Sequence, residues 1–336
     1  MRRKHPLTDI QKKQLYPLSN DEVLEHIRPF YRHPDVKGHY ITRFIIASFI
    51  FFCSHIPWWF AAFLGDSMGF LGSLIGIRKK IALRNLDIAF KDTKTKQEKY
   101  RIYKDSMKNL GRVLVYYFRA PSLDLKFWNE NCTWVNREIL DKAFNRGKGV
   151  VILAGHFGMY DLAAGVIGCN GYPLLIVGKK IHNPVVNRFI LEARQSFNAV
   201  TLHNKGTLRT ILRSLKKGYA IGMVVDQDMP LTRGIMVDWF GHPASTIKSS
   251  AYMVKKTECA AVPVAFYQTG VKSFEIKVYD EVKWVSHAGS VEEELNRNTE
   301  EHCKALQQAI LEKPECWFWI HKRYKTQEDP ALNPYR

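Results

Sequence analysis

Gly149-Val150-Val151-Ile152-Leu153-Ala154-Gly155-His156-Phe157-Gly158-Met159-Tyr160-Asp161 runs from an unbroken apolar stretch into an imidazole, with a carboxylate five positions further on. A short continuous apolar run predicts a strand buried on both faces, as in a parallel sheet. Gly155 and Gly158 flank His156 and let the backbone turn sharply where a substrate has to come close. In α/β sheets ligands collect where strands end and helices begin, so His156 is a candidate site residue by position.

The rest of the chain beyond Arg78 repeats the strand and helix alternation. Tyr172–Val177, Tyr219–Val225, Val262–Phe266 and the alternating stretch Phe274–Tyr279 predict further strands. Asn183-Pro184 opens a predicted helix, with Asn as N-cap and Pro at its first position. Leu208, Ile211, Leu212 and Leu215 mark another, closed by Lys216-Lys217-Gly218, and residues 291–311 form an acidic amphipathic helix. The fold class expected is α/β: a mixed central sheet flanked by helices, with an N-terminal membrane-anchoring helical segment.

That segment stands out by composition. From Phe44 to Ile77 the only charged residue is Asp66, and Phe44–Leu64 reads FIIASFIFFCSHIPWWFAAFL. The length suits a span of about 20 apolar residues. His55 and Pro57 interrupt it, and Trp58 and Trp59 favour a membrane–water interface. Arg43 precedes it, and Arg78, Lys79, Lys80 and Arg84 follow. The division expected is a basic tail over 1–43, a membrane anchor over 44–77 that spans once or lies at the interface, a catalytic domain over 78–326 and a tail over 327–336. A buried core helix is the alternative for the apolar run, but 34 residues exceed what one core helix needs.

Bulk properties narrow the function. The chain has 336 residues with 50 Lys+Arg against 32 Asp+Glu, a net charge of +18 that draws polyanions such as nucleic acid, anionic headgroups or acidic carrier proteins. No nucleic-acid module with clustered charge or interleaved stacking aromatics is found, and a non-catalytic basic membrane-surface or nucleic-acid-binding protein is kept only as the competing class. Six scattered cysteines without a Cys-x-x-Cys pair argue for a reducing environment and against structural zinc.

A His with a carboxylate five positions on arises about once by chance at this composition, and it occurs twice. His287–Glu292 lies in the polar, loop-like stretch Ser286–Ser290 and reads as solvated. His156–Asp161 follows a buried strand. Histidine supplies a near-neutral base worth typically 10²–10⁴-fold, and a carboxylate on its far nitrogen fixes the tautomer and stabilises the imidazolium. His156 with Asp161 is therefore the expected catalytic pair for moving an acyl group to an alcohol. No Gly-x-Ser-x-Gly elbow is read in the sequence, so no serine acyl-enzyme is expected and the alcohol is expected to attack directly.

Lys179, Lys180, Arg188 and Arg194 follow the second strand, as phosphate-holding cations or as solvated helix charges. Asp226 and Asp228 end a strand, where a structural or substrate-orienting role is expected and no metal is needed. Gly234, Trp239, Phe240 and Gly241 read as an acyl pocket or as packing, and Trp317-Phe318-Trp319 as a second membrane-facing patch or as a helix on the core.

Several ordered blocks extend this. Arg84-Asn85-Leu86-Asp87-Ile88-Ala89-Phe90, Lys108-Asn109-Leu110-Gly111-Arg112, Gly155-His156-Phe157-Gly158, Asn183-Pro184, Asp226-Gln227-Asp228, Trp239-Phe240-Gly241 and Pro314–Trp319 follow one another at consistent spacing. In these, residues 44–326 resemble the bacterial lipid A lauroyl/myristoyl acyltransferases of the His-x4-Asp/Glu superfamily. The resemblance implies an acyl carrier protein thioester as donor rather than a bound cofactor. It also implies a glycolipid acceptor, most directly a lipid A precursor, and a catalytic domain on the cytoplasmic face of the inner membrane. A phosphatidylinositol mannoside, lysophospholipid or aminolipid is the alternative acceptor. The chain departs from the family pattern in Met159-Tyr160-Asp161, where Glu is usual, often after Asn-Trp. It departs again in Lys179-Lys180, in Tyr116 and in the longer basic tail.

Overall fold

A computed structural model of the chain describes residues 40–336 apart from 124, 179–180, 184, 188, 191–198, 204–205 and 287–288. Most of the expected basic tail, together with Lys179, Lys180, Arg188, Arg194 and His287, lies outside the described residues.

The apolar run divides where the sequence breaks it. Helix α1 covers Tyr40–His55 and α2 covers Trp58–Leu74, with Pro57 as the N-cap of the second. The Ile56 carbonyl exposed by the break accepts a 2.7 Å bond from the Arg119 guanidinium, which stacks 4.1 Å from the Trp58 ring centroid. Among the described residues no single helix is long and apolar enough to cross a membrane. One bent pair passes on length and composition, α2 with α3 (Lys79–Phe90), but the two meet at 92°. Moreover, α3 buries Ala82, Leu86 and Phe90 in the main core.

Helix α4 (Lys96–Arg119), opened by a Thr95–Glu98 capping box, carries α2 along its length. Gly65, Gly69 and Gly111 make the approach possible. A Cβ on Gly111 would stand 2.1 Å from the Gly65 carbonyl oxygen, and one on Gly69 2.2 Å from that of Met107. Asp66 answers Arg112 with two 2.5 Å bonds, which explains the one charge in the apolar run. Gly65-Asp66-Ser67-Met68-Gly69 does spell Gly-x-Ser-x-Gly, but it lies inside α2 rather than on a strand-to-helix turn, so Ser67 has no elbow to present it.

The domain behind is the expected sheet flanked by helices. Strands β1 (Cys132–Val135), β2 (Val150–Ala154), β3 (Leu174–Gly178), β4 (Ala199–His203), β5 (Ala220–Val224), β8 (Ala260–Gln268) and β9 (Phe274–Val278) form it in the order β1-β9-β8-β2-β5-β3-β4. The pairings are parallel except β8 with β9. Parallel strands need covered faces. Helices α5 (Leu125–Asn131), α6 (Arg137–Asn145) and α7 (Tyr160–Cys169) accompany one core cluster, and α8 (Leu208–Lys216), α9 (Ser249–Thr257) and α10 (Val291–Glu312) the other.

The stretch read as an acyl pocket is a separate hairpin, β6 (Gly234–Trp239) with β7 (His242–Ile247). Phe240 and Gly241 form its two-residue turn, both at positive φ as a type I′ turn requires. Trp239 is fully buried against Trp317 and Arg323 rather than lining a pocket. Trp317 and Trp319 are likewise core residues, not a membrane patch.

Candidate active site

Parallel register builds the site. Ala154 pairs with Val224 at the ends of the adjacent strands β2 and β5, so His156 and Asp226, each two residues further on, emerge side by side. The His156 ring Nδ1 stands 2.8 Å from Asp226 Oδ1, and the His156 backbone N–H donates to Oδ2 at 2.7 Å. Trp317 Nε1–H donates to the same Oδ2 at 2.8 Å. Gly155 keeps this approach open, since a Cβ at that position would sit 3.1 Å from Asp226 Oδ2 and press the carboxylate back by a few tenths of an ångström. Gly158, at φ +54°, lets the turn pass Phe266, whose carbonyl oxygen a Cβ would meet at 2.3 Å.

The electrostatics follow from the packing. The Asp226 side chain is 2% exposed and that of His156 22%, so the carboxylate is sealed behind a ring that reaches the surface. Burial pushes the Asp226 carboxyl up, but His156 and the Trp317 and backbone N–H donors outweigh it and hold the group down at about 2. An ionised Asp226 fixes the proton on His156 Nδ1 and leaves Nε2 as the basic nitrogen. The side-chain amide of Gln227 lies 2.9 Å from that Nε2 and donates to it.

The C-terminal segment completes the back of the site. Gly158 N–H donates to the Cys316 carbonyl at 2.8 Å, and Phe157 bridges to Trp317. Asn85 of α3 donates to the carbonyls of Trp319 and His321. The Asp228 carboxylate accepts from the Thr326 N–H and hydroxyl at 2.9 Å each, while its own N–H donates to His321 Nε2. Burial lowers the pKa of His321, in keeping with a neutral acceptor ring.

The expected residues therefore separate. His156 stands at the strand end as read. Asp226, expected in a structural or substrate-orienting role, is 2% exposed, bonds His156 and stands behind Nδ1, the place expected for Asp161. Asp228 anchors the chain at Thr326 rather than facing a substrate. Asp161 sits in the first turn of α7 and lines an otherwise apolar cavity with Tyr160, Ala164, Ile167, Gly222 and Phe266. Trp317, Gln227 and His321 were not singled out as site residues. The signal available for Gln227 was a second strand ending in polar residues, Asp226-Gln227-Asp228, beside the first. Among the described residues no group of three His, Cys, Asp or Glu is placed to hold a metal ion.

Comparison with known proteins identifies relatives of the chain. The chain is 24% identical over 278 residues to the lipid A biosynthesis palmitoleoyltransferase of Escherichia coli (strain K12), covering 81% of this chain and 87% of the relative. To the lipid A biosynthesis myristoyltransferase of the same organism it is 19% identical over 319 residues, 95% and 96% of the two chains. The lauroyltransferase of that organism is 21% identical over 261 residues, 77% and 82%. The family model for bacterial lipid A biosynthesis acyltransferases matches residues 27–326, and the chain, a non-aminoacyl acyltransferase, belongs to that family.

Proposed function

We propose that the protein transfers a fatty acyl group from an acyl carrier protein thioester to a hydroxyl of a glycolipid, a lipid A precursor, at the cytoplasmic face of the inner membrane. The observation that carries the reading is the half-open imidazole of His156 with the buried Asp226 carboxylate behind it. The acceptor hydroxyl displaces the Gln227 amide from Nε2. As its oxygen attacks the thioester carbonyl, Nε2 takes the proton. The tetrahedral adduct then collapses with cleavage of the C–S bond, and the leaving thiolate takes the proton back from the imidazolium. No acyl-enzyme forms.

The cavity beside Asp161 offers an apolar wall next to the reacting centre, suited to the first part of the acyl chain. Lys179, Arg188 and Arg194 remain candidates for holding acceptor phosphates or the donor's phosphopantetheine arm. Membrane attachment is supported by the outer face of α1 and α2, which exposes side chains such as Phe44, Phe51, Trp59, Phe63, Leu74 and Ile75. Large apolar side chains exposed in this number mark an interaction surface.

The test is turnover of purified variants with acyl carrier protein thioester and lipid A precursor. His156→Ala lowers kcat by several orders of magnitude with the fold intact by circular dichroism. Asp226→Asn costs about 10⁴ in kcat, as tautomer loss does in serine proteases. Asp161→Asn, away from Nδ1, costs at least ten-fold less than Asp226→Asn. Near-normal transfer by His156→Ala rules the reading out, and equal losses in the two aspartate variants return Asp161 to the dyad.

A further inference from the structure

We propose that a cleft at the end of the apolar face binds the phosphate of an anionic phospholipid headgroup at the membrane surface. The cleft, about 690 Å³, is lined by Arg78, Lys79, Lys80, Arg84, Lys322 and Arg336, with Ile81, Tyr335, Gly76 and Pro334 between them and no Asp or Glu side chain. None of the six cations forms an ion pair with a carboxylate among the described residues. Their described partners are a carbonyl and two rings: Arg78 donates to the Ile320 carbonyl, Lys79 lies 4.5 Å from the Tyr100 ring centroid, and Lys322 lies 5.9 Å from that of Tyr335. Lys79 and Lys80 also occupy the first turn of α3, which has no acidic residue, where the helix dipole disfavours cations. No Asp or Glu side chain among the described residues thus pairs with this charge.

The position selects the ligand. The cleft begins at Gly76, directly after Leu74 and Ile75, the latter 78% exposed, where the apolar face of α2 ends. Hydrocarbon on one side and uncompensated cations on the other match the layer of a bilayer where acyl chains give way to phosphates. The proposal rests on the membrane attachment inferred above and not on the acyl-transfer chemistry.

The full-length protein is tested by co-sedimentation with phosphatidylcholine vesicles, with and without phosphatidylglycerol. Wild type binds the mixed vesicles more tightly. Each basic residue at such a surface contributes about five-fold, so Lys80→Ser with Arg84→Ser removes roughly thirty-fold of the preference while binding to neutral vesicles persists. Lys79→Ser with Lys322→Ser gives the same result through a pair that shares no residue with the first, guarding against a folding defect in either. Lys216→Ser with Lys217→Ser, equal in charge but at the C-terminal end of α8, leaves the preference in place. Retention of the preference by both cleft pairs overturns the proposal, as does an equal loss in the α8 pair. Loss of binding to acyl carrier protein alone, with vesicle binding unchanged, also overturns it and assigns the cleft to the donor. Because vesicle binding is read without turnover, an inactive enzyme that still shows these losses would defeat the function above but not this site.

Discussion

Asp226 is held by three donors and returns two of those bonds to a single residue, His156. Such bonds, made by a side chain only 2% exposed, suit the carboxylate to orienting the ring. His302 of α10 is its contrast. Buried beside the Ser250 hydroxyl at 3.0 Å, it has burial alone acting on it, and its pKa falls to about 4. An unfolded chain protonates the same ring near 6.5. Between those values the unfolded state binds the extra proton, so stability is full above about pH 6.5 and drains away as pH falls toward 4. His302→Gln removes that slope: denaturant midpoints measured at pH 7 and pH 4.5 converge for the variant relative to wild type. His156 was legible in the sequence because an apolar run ends at it. Its pairing with Asp226 was not, because the two lie 70 positions apart and local patterns carry no information about which strands become neighbours.

At the scale of elements, the joint between α2 and α4 decides how the apolar face is carried. Helix propensity favours Ala over Gly by about 1 kcal/mol. At Gly111 close packing wins, since a methyl group there would drive into the Gly65 backbone. Gly111→Ala is expected to destabilise by roughly 1–3 kcal/mol through overpacking, read as a lower melting temperature in detergent. The helix over 291–311 and the strand at 150–154 were readable, the first from its acidic amphipathic pattern, the second from unbroken apolarity. The β6–β7 hairpin was not: its aromatic turn looked like a ligand pocket because Trp239 and Phe240 signal burial without saying by what. Asp66 likewise meant nothing until Arg112 stood opposite it.

For the whole molecule, α1 and α2 both rest on α4, which belongs to the catalytic domain through Tyr103 and Met107. On the membrane attachment proposed above, the two ends of the apolar segment are expected on one side of the bilayer. Cysteines introduced at Ile41 and Ile75, both more than three-quarters exposed, are expected to react with an impermeant thiol reagent from the cytoplasmic side only. Reaction of one end from each side would restore a single crossing. The break at Pro57 was readable in the sequence, whereas the laying of α2 on α4 was not, because it depends on Gly65, Gly69 and Gly111 finding each other. The reactive pair, finally, is assembled from a strand near position 154, another near 224 and a tryptophan 91 residues beyond the aspartate. Contacts of such long sequence separation close late in folding. On refolding from denaturant, ellipticity should therefore recover ahead of turnover, which makes catalysis itself the last milestone of the folding reaction.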